Sequence, residues 1–236
     1  MKPTTDRNKH ETIMSKILMD IYKDRVLSSV LGFKGGTAAY FFYDLPRFSV
    51  DLDFDLLDSK KVEEVFEEVK KIAVIYGDIK DAWIKRNTIL VAISCGQLDR
   101  NLKIEISGRE EEKKDIYEQK SLYGFSVLVM EKSAMCANKL VALGNRKKTV
   151  GRDMFDVYFF LKNDWPIDTE IIQNKTGKNV NEYLTYLVDF VNVKSDSINM
   201  LLGLGELVDE KQKAWVRSNL VSELKSLLAI YARKYQ

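Results

Sequence analysis

Apolar and polar positions divide the chain into two parts with different spacing. Up to about residue 130, stretches in which apolar and polar residues alternate lie between stretches whose apolar residues are three and four positions apart. The first spacing is typical of β-strands and the second of helices. From Glu131 onward almost every stretch has the helical spacing, with Gly and Pro between the stretches. We therefore predict an α/β core over residues 1–130 and a helical domain over residues 131–236.

The same spacing predicts the individual elements. In the first part it predicts helices over 8–30, 37–42 and 59–75, and strands over 30–34, 49–57, 79–85, 88–94, 102–107 and 125–130. In the second part it predicts helices over 131–146, 151–163, 168–175, 180–194 and 209–234. Gly35 and Gly36 are expected to form a tight turn after the first strand, and the charged run 110–114 is expected to be a loop.

The rarest residue types exclude several kinds of site. The single histidine is His10, and the two cysteines are Cys95 and Cys136. A structural zinc site needs four such ligands and a catalytic one needs three, so these unclustered residues do not supply one. A Ser-His-Asp or Cys-His centre would depend on His10, in a segment that we expect to be peripheral. An enzyme made from this chain has to use carboxylates, lysines, arginines and backbone amides.

The sparse cysteines and the absence of long apolar stretches indicate the compartment, whereas the net charge does not identify a partner. With 37 basic and 35 acidic residues the net charge is +2, which neither indicates nor excludes a polyanionic partner. Sparse cysteines are typical of a reducing cytoplasm. No stretch of 18 apolar residues occurs, and the N-terminus has no apolar signal core. We expect a cytoplasmic protein with no membrane partner.

The stretch 49–57 carries the most informative pattern. Because side chains alternate along a strand, Asp51, Asp53 and Asp55 are predicted to share one face, with the apolar residues between them on the other. Neighbouring carboxylates would lie about 7 Å apart and repel one another by roughly 2 kcal/mol at an effective dielectric constant near 20. The face is either simply solvated or a divalent-cation site. A calcium-binding EF-hand is excluded, because Leu56 and Val62 occupy the positions that need Gly and Glu.

Two further features favour the cation site. The turn of Gly35, Gly36 and Thr37 lies between a strand and a helix, where backbone amides can bind a phosphate, although most such turns only reverse the chain. In the strand 102–107, Glu105 is predicted to face away from the core. If that strand neighbours the acidic one, Glu105 adds a carboxylate to the same face, and otherwise it is ordinary solvated surface.

Two helices of the second part carry charged residues beside apolar ones. Lys139 flanks an apolar stripe, so it is either solvated surface or a point charge for a triphosphate. Arg152, Asp153 and Asp156 open a very apolar helix, and Arg152 is expected to pair with Asp156 four positions on. The two acids either complement the helix dipole or line the floor of a cleft.

Taken in order, these residues resemble a known family. Residues 33–39 and 46–54 resemble the first motif of the abortive-infection nucleotidyltransferase toxins, the AbiEii/AbiGii family of the DNA polymerase β-like nucleotidyltransferase superfamily. Lys103 and Glu105 resemble its second motif, and Lys139 with Arg146 its third. Arg152, Asp153 and Asp156 resemble the fourth. The resemblance extends over residues 30–162.

The resemblance implies a fold and a reaction. The fold is of the α+β class, a nucleotidyltransferase-type small mixed sheet with flanking helices, followed by a helical C-terminal domain that closes the cleft. The reaction is the transfer of a nucleoside monophosphate from an NTP to an acceptor, with release of pyrophosphate. In family members whose target is known, the acceptor is the 3′ end of tRNA, and a separately encoded antitoxin restrains the toxin.

The resemblance also implies roles for residues. Asp51, Asp53 and Glu105 would hold Mg²⁺, or Mn²⁺ in its place, and Glu105 could instead take the proton of the acceptor hydroxyl. Lys139 and Asp153 complete the catalytic set. The nucleotide-binding residues implied are Gly35, Gly36, Thr37, Arg47, Ser49, Lys139, Arg152 and Asp156. Among these, Arg47 and Lys139 would neutralise triphosphate charge, whereas Asp55 lies beyond the two-aspartate motif and receives no role.

Two other functions stay open. A nucleotidyltransferase that modifies a protein or a small molecule, such as an aminoglycoside, would share the Gly-Gly and acidic motifs. A non-catalytic module that binds a nucleotide or an antitoxin would have a degenerate site, and the intact motif residues disfavour it.

Overall fold

The computed structural model describes residues 4–96, 98, 100–108, 116–145, 151–195 and 199–236. Arg146 of the third motif and the charged run 110–114 lie outside the described residues. Within them, internal contacts define two units. The first takes residues 4–44, 48–108 and 117–130, and the second takes Leu45–Arg47, Ile116 and the residues from 131 onward.

The first unit combines helices with a mixed sheet. Its elements are α1 (Thr4–Lys23), α2 (Arg25–Val30), β1 (Leu31–Lys34), α3 (Gly35–Tyr43), β2 (Leu52–Leu56), α4 (Val62–Tyr76), β3 (Asp78–Lys85), β4 (Thr88–Ser94), β5 (Leu102–Ser107), β6 (Tyr117–Leu122) and β7 (Phe125–Met130). In the described residues the strands form one sheet in the order β3-β4-β5-β2-β1-β7-β6. β2 pairs parallel with β5 and antiparallel with β1, so the acidic strand lies in the middle of the sheet.

One face of this sheet forms the core of the first unit. Phe33, Phe54 and Ile104 are fully buried on it, and helices α1 and α4 pack there. Burial alternates along β2 and β5, which leaves Asp53 partly exposed and Glu105 exposed on the opposite face. The predicted alternation is therefore confirmed for Leu52–Leu56 and for β5.

The first predicted helix is broken in two. The sequence predicts a single helix over 8–30, but α1 ends at Lys23 and α2 begins at Arg25. Between them, the side chain of Asp24 accepts hydrogen bonds from the amides of Val26 and Leu27, both at 2.9 Å. Aspartate is a favoured N-cap residue, because its carboxylate binds amides that have no partner within the helix. The cap starts a new helix at that point.

The acidic strand is shorter than predicted. β2 begins at Leu52, so Ser49, Val50 and Asp51 precede it and Asp51 is outside the regular alternation. The reason is the length of its neighbour. β1 ends at Lys34, opposite Asp53, and the chain then turns into α3, so the strand pairing with β1 does not extend to earlier residues.

One strand was not predicted. β6 has the polar sequence YEQKSL and lies at the edge of the sheet, where it pairs antiparallel with β7. An edge strand buries little on either face, so it shows little alternation of apolar residues. The hairpin turn at Tyr123 and Gly124, with φ of 49° and 86°, is its clearest sequence signal, because glycine favours positive φ.

The second unit is helical in its described residues from 131 onward. Its helices are α5 (Lys132–Asn145), α6 (Gly151–Lys162), α7 (Thr169–Thr176), α8 (Val180–Ser195) and α9 (Glu210–Lys234), close to the predicted bounds. α6 is buried over most of its surface and packs against α5 and α9, while α8 packs along α9. None of the helices in the described residues is both long and apolar enough to cross a membrane.

Candidate active site

Asp53 and Glu105 lie side by side on the partly exposed face of the sheet. In the register of the parallel pair β2 and β5, Asp53 is directly opposite Glu105. On its other side, Asp53 is opposite Lys34 of β1. Neighbouring strands are about 4.8 Å apart, so these three side chains form a short row of charges across the middle of the sheet. The strand that carries Glu105 therefore neighbours the acidic strand, which was the condition for Glu105 to add a carboxylate to the same face.

The first turn of α3 packs against the Asp53 carboxylate. Gly35 has φ +79°, and a Cβ atom there would lie 2.5 Å from Oδ2 of Asp53. Glycine is therefore needed both for its backbone conformation and for the close approach. The helix begins at Gly35 itself, so Gly36 and Thr37 belong to its first turn and the expected separate turn is absent. The amides of such a turn favour a bound anion.

Side chains from α1 and α3 fix the segment that carries Asp51. Thr37 is fully buried, and its hydroxyl donates a hydrogen bond to the carbonyl oxygen of Asp51. His10 is also buried, and its Nε2 donates to the carbonyl oxygen of Val50 at 2.9 Å. Ser49 lies partly exposed just before these residues. The histidine that we expected at the periphery thus helps to position the acidic motif.

The carboxylates fit a magnesium ion in donor chemistry. Asp51, Asp53 and Glu105 offer only hard oxygen ligands, which Mg²⁺ and Mn²⁺ take. Within the described part of the chain, no group of three or more His, Cys, Asp or Glu residues is arranged to hold a metal. A site in which one or two carboxylates act together with substrate phosphates agrees with both observations.

Asp55 is engaged in a separate network on the same face. Its Oδ1 pairs with Nζ of Lys34, and its Oδ2 accepts a hydrogen bond of 2.5 Å from the hydroxyl of Tyr117. The Tyr117 ring crosses β1 at Gly32, where a Cβ atom would lie 2.3 Å from Cε1 of the ring. Asp55 is therefore held by protein partners and is not simply solvated.

The second unit contains a buried cluster of opposite charges. Nζ of Lys139, on α5, lies 3.0 Å from Oδ2 of Asp156 and 3.4 Å from Oδ1 of Asp153, both on α6. Both aspartates are fully buried, whereas the Lys139 side chain is 18% exposed. Burial opposes ionisation of Asp156, but the Arg47 and Lys139 cations outweigh it and lower the pKa of this carboxyl.

Arg47 differs from its expected role. The family resemblance implies that it neutralises triphosphate charge, but its guanidinium is buried and bidentate on Asp156, with Nε bound to Oδ1 and Nη2 2.7 Å from Oδ2. Two parallel charge-assisted hydrogen bonds are among the strongest that proteins form. The expected pairing of Arg152 with Asp156 is also absent among the described contacts, because Arg47 and Lys139 occupy that carboxylate. Arg152 lies partly exposed in the first turn of α6.

Sequence reasoning missed three residues of these networks, and two of them had a signal. The signal for Lys34 is its position directly before the glycine pair at the start of α3. His10 is the single histidine of the chain. Tyr117 was hidden, because it belongs to the unpredicted edge strand β6.

Solved structures share the fold of this chain. A putative nucleotidyltransferase from Helicobacter pylori is 23% identical with a TM-score of 0.62, covering 99% of this chain and 97% of the other. JHP933 from Helicobacter pylori is 24% identical with a TM-score of 0.60, over 97% and 93% of the two chains. An antigenic nucleotidyltransferase-like protein from Paracoccidioides brasiliensis is 15% identical with a TM-score of 0.52, over 78% and 89%. The chain therefore has a nucleotidyltransferase-type α+β fold.

The sequence itself identifies the family. Comparison with curated proteins finds no significant match. Residues 16–198, however, match the family described as "Nucleotidyl transferase AbiEii toxin, Type IV TA system". Such a toxin takes an NTP as substrate and is paired with a separate antitoxin. The chain belongs to the AbiEii family of nucleotidyltransferase toxins and is an enzyme of nucleotidyl transfer.

Proposed function

We propose that this enzyme transfers a nucleoside monophosphate from an NTP to the 3′ end of tRNA in the cytoplasm, in a Mg²⁺-dependent reaction. In this proposal the transfer is the toxic activity that the antitoxin restrains. The observation that carries the chemistry is the packing of the Asp53 carboxylate against the first turn of α3, with Glu105 opposite it. The choice of tRNA rests on the family resemblance of the four motifs.

The acidic motif and the first turn of α3 would both act on the triphosphate of the substrate, the motif through a metal ion and the helix through its backbone amides. Asp51 and Asp53 are the proposed metal ligands, because they bracket the start of β2 beside a phosphate-binding turn. A bound Mg²⁺ would supply positive charge to the triphosphate and to the leaving pyrophosphate. The amides of Gly35, Gly36 and Thr37 would bind phosphate oxygens, supported by the positive end of the α3 dipole.

Glu105 is the proposed general base. It is exposed and adjacent to Asp53, where it can accept the proton of the acceptor hydroxyl, or complete the metal ligands if another group takes that proton. The deprotonated oxygen attacks the α-phosphorus of the NTP, the bond to the bridging oxygen breaks, and pyrophosphate leaves with that bonding pair. The new phosphodiester joins the nucleotide to the RNA.

The cluster of the second unit has a supporting part in the proposal. Lys139 is partly exposed, so we propose that it contacts the triphosphate as a point charge, together with Arg152. Asp153 and Asp156 would orient Lys139, and Arg47 would hold Asp156 in place through its bidentate pair. Arg47 is thus a positioning residue in this proposal. Ser49 would contact the nucleotide from the segment before Asp51.

The test is a transfer assay with purified protein, total tRNA, Mg²⁺ and each of the four α-labelled NTPs in turn. We expect at least one NTP to label tRNA. Asp51→Asn and Asp53→Asn should each lose about 10²-fold or more of the activity, because a metal ion contributes several kcal/mol of charge stabilisation. Asp78→Asn is the matched control, since Asp78 is an exposed carboxylate on β3 of the same sheet.

Several outcomes would contradict the proposal. Full activity in both motif variants would remove the acidic motif from the chemistry. Labelling of protein or of an aminoglycoside, with tRNA unlabelled, would replace the acceptor. Binding of NTPs without transfer to any acceptor would indicate a module that only binds nucleotides.

A further inference from the structure

The acidic face of the sheet concentrates negative charge beside a lysine. Asp53, Asp55 and Glu105 lie on one face, and a triphosphate would add further negative charge. Arg47, which was expected to neutralise that charge, is bound to Asp156 in the second unit. Lys34 lies in the same row as Asp53, in direct register with it, and its side chain is 27% exposed.

Lys34 also has a favourable place in the chain. It is the N-cap residue of α3, immediately before Gly35, and its side chain makes no capping hydrogen bond within the described residues. Its ammonium instead pairs with Oδ1 of Asp55. An ammonium group has three N–H donors, so it can keep this contact and donate to a phosphate oxygen as well. A phosphate bound at the first turn of α3 would lie beside it.

The partners of Asp55 hold this ammonium in one place. Tyr117 donates its hydroxyl proton to Oδ2 of Asp55, so the other carboxylate oxygen faces Lys34. Gly32 allows the Tyr117 ring to lie across β1 and reach Asp55. Tethering a flexible lysine side chain in advance reduces the entropy that it loses when it binds a ligand.

We infer that Lys34 binds the triphosphate of the NTP, and that Asp55 and Tyr117 are positioning residues that hold its ammonium beside Asp53. This inference rests on the proposed function for the identity of the phosphate-bearing ligand. Asp55, the third acid of the alternating motif, then has the task of orienting a cation, while Asp53 serves the metal.

The direct test measures binding of inorganic tripolyphosphate by calorimetry, with Mg²⁺ present and no acceptor. Lys34→Ala should weaken binding about tenfold or more, because a charge-assisted hydrogen bond is lost. Lys34→Arg keeps the charge and should retain most of the affinity. Lys120→Ala is the matched control. Lys120 is 28% exposed and pairs with Glu118 at 3.0 Å, on β6 of the same sheet.

The positioning part is tested separately. Tyr117→Phe and Asp55→Asn leave Lys34 charged but loosen its tether, so each should raise KM for the NTP a few-fold with a smaller change in kcat. A purely structural role would lower thermal stability without this selective rise in KM. Equal KM values in the wild type and both variants would overturn the positioning role.

The binding role fails if the wild-type protein does not bind tripolyphosphate, or if folded Lys34→Ala binds it as tightly as wild type. Should Lys34→Ala unfold, the double variant Lys34→Ala with Asp55→Ala removes the whole ion pair and is measured instead, with the same expected loss. The two proposals fail differently. Lys34-dependent binding without transfer to any acceptor would overturn only the proposed function, whereas transfer with an unchanged KM in Lys34→Ala would overturn only this inference.

Discussion

The charge of Asp156 depends on its neighbours. It is fully buried and its carboxylate is shared by Arg47 and Lys139. Asp156→Asn would remove the buried carboxylate that Arg47 and Lys139 share, so we expect a loss of about 3–5 kcal/mol of unfolding free energy. Urea denaturation measures it. Asp164→Asn is the control, because that carboxylate is 76% exposed and its change should have little effect.

Asp156 should also make the unfolding free energy depend on pH in the acidic range. Its pKa is lowered by the two cations from the ordinary value of 3.8, so its contribution is complete above that value and is lost as the pH falls through the lower, folded-state pKa. Between these limits the wild type should lose more unfolding free energy than Asp156→Asn does. Urea denaturation at several pH values gives the unfolding free energy of both proteins. If the two free energies changed in parallel with pH in that range, this account would be contradicted.

At this scale, the sequence could identify candidate residues but few of their contacts. Asp53, Glu105 and Lys139 could be named because their type and order follow known motifs. Arg47 and Asp156 are 109 positions apart, and Tyr117 and Asp55 are 62 apart. Such pairs depend on how strands and helices pack, which local periodicity does not report.

Among the elements, the start of α6 depends on a glycine. A Cβ atom at Gly151 would lie 1.7 Å from the carbonyl oxygen of Met200, so the backbone of residue 200 could not pack there. Gly151→Ala should therefore destabilise the protein by about 1–3 kcal/mol through overpacking, despite the higher helix propensity of alanine. Thermal unfolding measures the loss. Gly96→Ala is the control, since nothing lies within 4 Å of a Cβ atom there, and an equal melting temperature for Gly151→Ala and wild type would contradict the account.

Elements could be predicted where one face is apolar and the other polar. β3, β4 and β5 are confirmed within one residue of their expected bounds, and burial alternates along β5 and the first half of β4. The start of β2 could not be predicted, since it depends on where its partner β1 ends. β6 could not be predicted either, because a polar edge strand is specified by pairing with β7 and has little apolar pattern of its own.

Across the whole molecule, each unit carries one buried cysteine that can report on its unfolding. Cys95 belongs to the first unit and Cys136 to the second, and burial raises the pKa of both thiols. In the variants Cys95→Ser and Cys136→Ser, we expect the remaining thiol to react slowly with a thiol reagent in buffer and quickly in denaturant. Fast reaction of either thiol in the native protein would contradict the burial of that cysteine.

The fold class and the family could be recognised from the sequence because four motifs occur in a fixed order. The recognised resemblance covered residues 30–162, whereas the family match covers 16–198 and the Helicobacter pylori structures share the fold over at least 97% of this chain. The helices beyond residue 165 were predicted as elements but could not be attributed to a family. Their apolar residues follow a helical spacing that many unrelated helical proteins share, so the spacing does not identify a family.

The crossing of β1 by the Tyr117 ring has a consequence for how this sequence can change over time. A side chain at residue 32 and an aromatic ring at residue 117 compete for the same space. A larger side chain at residue 32 would displace the ring at residue 117, and with it the hydroxyl on Asp55. Substitutions at these two positions, which are distant in the gene, are therefore expected to depend on each other.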